Sequence, residues 1–493
     1  MSTDLNFARK LSDEDRQKQL LALQSTSPDD SKYKKAALTP YLSDEAEWNA
    51  CALVQLKLLE TRKEFGQAAE ENVREVELAM DKIDPLNMAL IEAAPPEQGG
   101  TRHDQLAVIE EIGRHVSPET KALLHPGTTS YDILDTARAY LLRNAWSKVI
   151  RPAVAESLEK LCDISERSMN LLQVGRTHLQ DTSPITFGGM IANYAARFAE
   201  RTERADDSFS RLKGKVSGIV GTGASVAMVV GPEKQQEFEQ IVLKKLKLEP
   251  DYTASQIVQK ETLADVGHSL TTLMYVLRDF ANDIRMMYSS AIGEVTSRTN
   301  AARLGGSSAD ATKNNPIGWE NMRGKAVVVQ SGMPILYDMI VTDFQRDLSG
   351  SVEARYQPRA MMVQTYEAFQ RLNKSLDQLS INEETLAANL EPVRKNPSEA
   401  MVAILRGSRF QHPNIGNAHD FVKHIGKRSK KEKRPLLDIA QEYKTFNEII
   451  GTLPEYQKEI LNGKLENYIG NSIQRAEHNR SYAQGIAKTT LPF

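Results

Sequence analysis

Histidine side chains at two places in the sequence could transfer protons near neutral pH. His103 lies in the run Thr-Arg-His-Asp at 101–104, and His178 lies in Gly-Arg-Thr-His-Leu-Gln-Asp at 175–181. Because the ordinary pKa of histidine is close to neutral pH, either residue could act as a general acid or base. Each also has a structural interpretation, His103 as the start of a helix capped by Thr101 and His178 as a hydrogen-bonded core residue. From these residues alone both interpretations stay open.

Two further polar segments contain groups that an anionic substrate needs. The run at 125–136 includes Thr129 and Ser130, whose hydroxyl and backbone N–H groups could bind a carboxylate at a helix N-terminus or simply cap that helix. The run at 305–316 has paired glycines, paired serines and a lone Lys313, without apolar periodicity. It predicts a loop that closes over an anion, and a linker without function is the alternative.

Long helices are predicted to hold these segments in place. Aromatic residues are only 6% of the chain, a composition that favours helix over strand. The clearest helical pattern has apolar residues alternately four and three positions apart, at Val266, Leu270, Leu273, Leu277, Phe280, Ile284, Met287 and Ala291. We expect one helix over about 260–295, roughly 50 Å long. A helix of this length needs neighbours to cover its apolar face, so the pattern predicts a long-helix bundle and a homo-oligomer.

The predicted fold is therefore all-α, with a central long-helix bundle flanked by smaller helical domains. We place the N-terminal helical domain at 1–131, the central bundle at 132–382 and the C-terminal helical domain at 383–493. Proline and glycine residues break the helical pattern more often from about residue 383 onward, which is typical of shorter helices.

Composition argues against several classes of partner. The chain has 62 Lys and Arg against 65 Asp and Glu, a formal net charge of -3, so there is no overall positive field to attract nucleic acid. Cys51 and Cys162 are the only cysteines and match no metal-binding spacing, so that we expect no metal, no other cofactor and a reducing cytoplasmic location. No apolar stretch reaches the roughly 18 residues that a membrane span requires, so that no membrane partner is expected.

Taken together, the polar segments resemble those of a known enzyme family. Besides Thr-Arg-His-Asp, the chain contains His-x-Gly-x-Thr-Ser-x-Asp-x-x-Asp-Thr at 125–136, Gly-Arg-Thr-His-x-Gln at 175–180 and Gly-Ser-Ser-x-x-x-x-Lys-x-Asn-Pro at 306–316. In this order and spacing they resemble the adenylosuccinate lyases of the fumarase/aspartase superfamily. The resemblance implies a lyase that cleaves a C–N bond by β-elimination and releases fumarate, from adenylosuccinate and from the related succinylated intermediate of purine synthesis. It also implies a homotetramer whose active sites are each assembled from three subunits.

The resemblance implies a role for individual residues. It implies that Ser307 is the catalytic base and His178 the catalytic acid, with His103 supporting His178. The implied substrate-binding residues are Asp104, Thr129, Ser130, Thr177, Gln256, Lys313, Asn315, Arg346, Ser351 and Arg355, of which Lys313, Asn315, Thr129 and Ser130 would bind the succinyl carboxylates and Arg346, Ser351 and Arg355 a phosphate. These residue types suit the reaction, since elimination needs a base for the carbon, an acid for the departing nitrogen and donors for the dianion that forms.

One departure from the family pattern keeps other functions open. Asp310-Ala311 stands where the family usually has Met-Pro, and a carboxylate there would repel a dianionic substrate. Another superfamily lyase, of argininosuccinate, aspartate, fumarate or carboxymuconate type, is one alternative; the spacing of Arg346 and Arg355 argues against it, because those substrates need no phosphate site. A catalytically weak protein with a binding or structural role is the other. Retention of Ser307 and His178 argues against that second alternative, and Asp310 argues for it.

Overall fold

Helices make up most of the chain, as the composition predicts. The computed structural model describes residues 6–26, 36–298 and 313–491. The helices in the first part are α1 (Asp13–Leu23), α2 (Thr39–Leu42), α3 (Asp44–Glu64), α4 (Glu70–Met80), α5 (Pro85–Ala93), α6 (Asp104–Gly113), α7 (Pro118–Ala122) and α8 (Ser130–Ala145). Those in the middle are α9 (Arg151–Arg167), α10 (Phe187–Ser210), α11 (Ala224–Val230), α12 (Gln235–Lys245), α13 (Glu261–Met287), α14 (Ile317–Ser331), α15 (Met333–Asp338) and α16 (Ser349–Gln378). The all-α prediction is confirmed.

Shorter helices follow the bundle toward the C-terminus. They are α17 (Glu383–Lys395), α18 (Ser398–Gly407), α19 (Ala418–Glu432), α20 (Leu436–Ala440), α21 (Lys444–Thr452), α22 (Glu455–Leu461) and α23 (Ser472–Lys488). Residues from Met401 to Leu461 form an apolar core of their own, whereas α23 returns to pack on α9 and α10. The division of the chain at 131 and 382 remains a prediction.

The described strands are short and form two-stranded ladders. Antiparallel pairs join β1 (Leu172–Thr177) with β2 (Gln180–Thr186), β5 (Val295–Ser297) with β6 (Leu379–Ile381), and β7 (Gln411–His412) with β8 (Gly416–Asn417). A parallel pair joins β3 (Lys213–Gly214) with β4 (Glu249–Pro250). The β1–β2 hairpin is the longest of these ladders, with Leu172 opposite Thr186 and Thr177 opposite Gln180.

Aromatic side chains from four long helices meet at the centre of the bundle. Phe198 of α10 lies edge-on to Phe280 of α13 and to Phe369 of α16, with ring centroids 6.2 and 6.0 Å apart. Phe280 in turn lies edge-on to Trp319 of α14 at 5.7 Å. All four rings are buried. Edge-to-face pairs of this kind add to the free energy of burial, so they hold the scaffold on which the polar segments are mounted.

The apolar pattern predicts most of α13 but not its end. Every seam residue from Val266 to Met287 is buried. The helix stops at Met287, so Ala291 lies outside it and the expected extension to about residue 295 is wrong. At 1.5 Å per residue the 27-residue helix is about 40 Å long. The chain turns through Gly293, which has a positive φ of 67°, and the Glu294 N–H donates to the Met287 carbonyl 3.0 Å away. The turn places Glu294 in the core.

Among the described residues, no helix is both long and apolar enough to span a membrane.

Candidate active site

A buried ion pair holds the N-terminus of α8, where Thr129 and Ser130 lie. The carboxylate of Asp132 accepts the Thr129 N–H at 2.7 Å and the Ser217 N–H at 3.0 Å, and the Lys215 ammonium donates to it. Lys215 also donates to the Gly218 carbonyl at 3.0 Å, and both charged side chains are fully buried. Because a buried charge without its partner is strongly unfavourable, this pair ties residues 215–218 firmly to the start of α8.

A second ion pair, one helical turn further along α8, anchors the segment that contains Gln256. The Lys260 ammonium lies 2.8 Å from a carboxylate oxygen of Asp135, and the Val258 N–H donates to the same oxygen at 2.9 Å. Asp132 and Asp135 are three residues apart and therefore lie on one face of the helix. Distant parts of the chain are in this way brought to the same end of α8.

Residues from four segments of the sequence meet beside these two pairs. We call them the His103 cluster, and they comprise His103, Asp104, Ser130, Tyr131, Gln256, Arg346, Ser351 and Arg355. Nε2 of His103 is 3.0 Å from the Ser130 hydroxyl, and the Arg355 guanidinium is 3.5 Å from the Asp104 carboxylate.

Within the cluster, Tyr131 contacts both Ser351 and Arg346. Its hydroxyl is 2.9 Å from the Ser351 hydroxyl, and the Arg346 guanidinium lies over its ring, 3.9 Å from the centroid. Arg346 also donates to the Gln256 side-chain oxygen at 2.9 Å. The cluster thus combines an imidazole, hydroxyls and two guanidinium groups, which together can bind a phosphate and a carboxylate.

His103 immediately precedes α6, and Thr101 does not cap that helix. His103 is the residue immediately before Asp104, and its own side chain forms no cap hydrogen bond. The Thr101 hydroxyl donates to the His103 carbonyl at 2.9 Å. The His103 side chain, 43% exposed, reaches Ser130 on α8 instead, so the helix-start position and a role in the site are compatible.

A cavity of about 580 Å³ opens beside the cluster. Asp104 and Arg355 form part of its wall, together with Glu47, Glu92 and Arg359. Burial, and to a lesser degree the neighbouring Asp104, raises the pKa of Glu92. The volume is within the range of small-molecule sites.

His178 lies elsewhere, at the tip of the β1–β2 hairpin. His178 and Leu179 form the two-residue turn, and both they and Thr177 are exposed. Strand β1 packs against α17, and the Ser183 hydroxyl of β2 donates to the Glu399 carboxylate at 2.8 Å. Among the described residues no hydrogen bond or ion pair joins His178 to the His103 cluster. The described residues of one subunit therefore show no contact through which His103 supports His178.

The remaining predicted residues lie near the start of α14. Lys313 is exposed, and Asn315, partly buried, accepts the Ile317 N–H on its backbone carbonyl at 2.9 Å. Ser307, Asp310 and Ala311 lie outside the described residues. The predicted site residues that the structure describes thus fall into three places: the start of α8 with the His103 cluster beside it, the hairpin tip and the start of α14.

Among the described residues, strained backbone occurs in three of the polar segments. Arg102, His125, His178 and Leu179 have φ values of 52°, 70°, 54° and 59°, a region that side chains other than glycine rarely adopt. Such residues tend to be retained at functional sites because the surrounding contacts hold them there. His125 is held by Gln55 Nε2 and the Thr128 hydroxyl, each 3.0 Å from its Nδ1.

Two residues of the arrangement were missed by reasoning from the sequence. Tyr131 occupies a variable position of its motif, and Glu294 lies between motifs, so neither pattern drew attention to them. Their signal was weak, since one is an aromatic residue beside Ser130 and the other a lone acid after a glycine.

Over the described residues, no group of three or more His, Cys, Asp or Glu side chains is placed to hold a metal ion.

Comparison with known proteins shows similarity over most of the chain. The match to a lyase family covers residues 36–331. An adenylosuccinate lyase of Archaeoglobus fulgidus is 28% identical over 94% of this chain and 99% of that enzyme, and one of Pyrococcus horikoshii is 30% identical over 79% and 83%. The crystal structure of 3-carboxy-cis,cis-muconate lactonizing enzyme from Pseudomonas putida superposes with a TM-score of 0.76 at 19% identity, over 93% and 99%. This last similarity shows that the fold is shared.

Proposed function

Because the chain belongs to this lyase family and is a C–N lyase, we propose that it cleaves adenylosuccinate into fumarate and AMP. The related succinylated intermediate of purine synthesis is the second proposed substrate. The observation that carries the proposal is the meeting of Arg346, Ser351 and Arg355 with His103 and Ser130. A substrate that has both a phosphate and a succinyl group suits such a site, since guanidinium groups bind oxyanions and hydroxyls accommodate carboxylates.

The proposed reaction is an elimination with two proton transfers. Ser307 would take the proton from the carbon next to a succinyl carboxylate, and His178 would protonate the departing nitrogen. The negative charge that develops on the carboxylate would be stabilised by Thr129 and Ser130 at the start of α8, where backbone N–H groups favour anions. Lys313 would add a positive charge there.

Other residues would orient the substrate. Gln256, which accepts a hydrogen bond from Arg346, and Asp104, beside Arg355, would contact the nucleotide. Thr177 and Asn315 would contact the succinyl group from the hairpin tip and the start of α14.

We further propose that the enzyme is a homotetramer with active sites shared between subunits. Among the described residues no hydrogen bond or ion pair joins His178 or Lys313 to the His103 cluster, which supports sites shared between subunits, because the acid and the anion-binding residues must meet one substrate. Apolar side chains on the outside of the bundle also support association, since such surfaces commonly mark interfaces. They include Tyr275 on α13, Val327 and Val328 on α14, and Tyr337 on α15.

A cytoplasmic location suits the two free cysteines. Cys51 and Cys162 are both buried and unbridged, as expected of a protein kept in a reducing compartment.

The direct test is to incubate the purified protein with adenylosuccinate and to measure fumarate and AMP by chromatography. Equal amounts of both products are expected, and the His178→Ala protein should form neither at a comparable rate. Argininosuccinate, aspartate and malate serve as comparison substrates. Fumarate from one of these, with none from adenylosuccinate, would refute the proposed substrate.

A further inference from the structure

A buried carboxylate connects the His178 hairpin to the core. Glu294 is fully buried. It accepts two hydrogen bonds from the Arg176 guanidinium, at 2.9 and 2.7 Å, and one each from the side-chain amides of Gln173 and Asn389, both at 2.9 Å. The Glu294 side chain therefore joins three elements: its own turn after α13, strand β1 and helix α17.

Arg176 extends this connection across the hairpin. Besides its two bonds to Glu294, its Nε donates to the Asp181 carboxylate on β2 at 3.0 Å. Arg176 precedes the turn residue His178 by two positions, and Asp181 follows it by three. The Arg176 guanidinium thus links the two strands close to the turn. A planar guanidinium bound at both edges leaves little freedom of rotation.

The turn needs such support. His178 and Leu179 both have left-handed backbone, which is unfavourable for residues with a β-carbon. The exposed tip has little packing of its own, since Leu179 is 71% exposed. Its geometry must therefore come from the strands beneath it.

We infer that Glu294 is a positioning residue, which sets the orientation of the His178 imidazole toward the substrate by fixing Arg176. This inference rests on the proposed role of His178 as the catalytic acid. It assigns to Glu294 no contact with substrate. A proton donor displaced by a fraction of an ångström loses much of its effect, so loss of the Glu294 charge should reduce turnover more than substrate affinity.

The test compares Glu294→Gln with a matched ion pair elsewhere. The control is Asp206→Asn, because Asp206 accepts Arg151 Nε at 3.0 Å in a similarly buried pair near the other end of α10. Both substitutions remove the negative charge from an arginine–carboxylate pair, and Arg176 keeps its second bond, to Asp181. We expect Glu294→Gln to lower kcat by at least about tenfold with KM changed less than about threefold. Asp206→Asn and Glu294→Gln should lower the melting temperature by similar amounts, but Asp206→Asn should leave kcat within about twofold of the unchanged protein.

A double substitution distinguishes a specific effect on the position of His178 from a general loss of folded structure. Arg176→Gln should lower kcat about as much as Glu294→Gln, and the protein with both changes should lose no more than either one, because they act through the same contact. Losses in kcat that multiply, or an equal loss in Asp206→Asn, would overturn the inference.

Hydrogen exchange of the hairpin tests the same inference without any substrate. Amides at 176–181 should exchange at least about tenfold faster in Glu294→Gln than in the unchanged protein, and Asp206→Asn should leave them unaffected. Unchanged exchange there overturns the inference, even if adenylosuccinate is cleaved. If exchange rises but adenylosuccinate is not cleaved, the proposed substrate fails while the support of the hairpin by Glu294 stands.

Discussion

The Arg346 guanidinium lies 3.9 Å from the centre of the Tyr131 ring, and the same tyrosine reaches Ser351 through its hydroxyl at 2.9 Å. Tyr131 thereby orders two of the three residues proposed to bind phosphate. The ring contributes a cation–π contact to Arg346, and the hydroxyl contributes a hydrogen bond to Ser351. These two contributions can be removed separately.

Tyr131→Phe should weaken substrate binding without slowing the chemical step. It keeps the ring under Arg346 and removes only the hydrogen bond to Ser351, so KM for adenylosuccinate should rise roughly three- to tenfold, as expected for about 1 kcal/mol. Tyr131→Leu removes both contacts and should raise KM further. Steady-state kinetics measures the two variants side by side. A fall in kcat at constant KM would place Tyr131 in the chemistry instead.

Mixing two inactive variants should restore activity if the sites are shared between subunits. His103→Ala and His178→Ala each remove a different part of the site, and we expect the His178 change to lower kcat by at least about a hundredfold. When the two are unfolded together and refolded at equal amounts, about a quarter of the sites receive both intact histidines from different subunits. Activity well above that of either variant is the expected result.

The control for this mixing experiment is each variant refolded alone. If the mixture is no more active than its components, the two histidines belong to one chain and the shared-site proposal is wrong. Light scattering on the same samples gives the oligomeric state, and a monomer at micromolar concentration would contradict the homotetramer.

The helical scaffold could be predicted because its signal is local. The apolar spacing from Val266 to Met287 requires only that one helix face be buried, and that face is buried. The end of α13 could not be predicted in this way. It depends on Glu294 reaching Arg176 and Gln173, more than a hundred residues away in sequence.

The residue types of the site could be predicted, but their grouping could not. His103 and Ser130 stand in recognisable runs, and the structure brings them together. Gln256 reaches the same place because Lys260 pairs with Asp135 inside the protein, a contact for which the sequence offers no spacing signal. The β1–β2 hairpin was likewise missed, since an all-helical composition gives no reason to expect a strand pair below His178.

Replacing Asp310-Ala311 with Met-Pro should increase activity on adenylosuccinate. These residues lie outside the described part of the chain, so the prediction rests on the sequence and on the charge of the substrate. Removing a carboxylate that repels a dianion should raise kcat/KM by about tenfold for each 1.4 kcal/mol of repulsion relieved. Asp310→Asn is the control that removes the charge alone. Unchanged or lower kcat/KM would indicate that Asp310 is already paired or that this segment suits another substrate.

His125 should make the protein less stable as the pH falls below neutrality. Burial lowers the pKa of His125 from its ordinary 6.5 to about 4. Between these values the unfolded chain binds a proton at this residue and the folded chain does not, so the free energy of unfolding decreases as pH falls from 6.5 toward 4. By pH 4.5 the decrease should be roughly 2–3 kcal/mol. Although burial alone would raise the pKa of Glu47, the Arg138 and Arg359 guanidinium groups lower it to about 2, so its stabilising contribution is lost only as the pH falls below about 4.5 and changes little between pH 6.5 and 4.5.

His125→Asn tests this contribution, since asparagine tolerates the left-handed backbone at this position and its side-chain oxygen can replace Nδ1 beside Gln55 and Thr128. Urea unfolding of both proteins at pH 7.5 gives the difference due to packing. Repeating the measurement at pH 6.5, 5.5 and 4.5 gives the part due to the proton, because only the unchanged protein carries the titrating imidazole. The free energy of unfolding of the variant should therefore rise by roughly 2–3 kcal/mol relative to that of the unchanged protein between pH 7.5 and 4.5. Two parallel curves over this range would mean that the folded protein binds a proton at His125 as readily as the unfolded chain does.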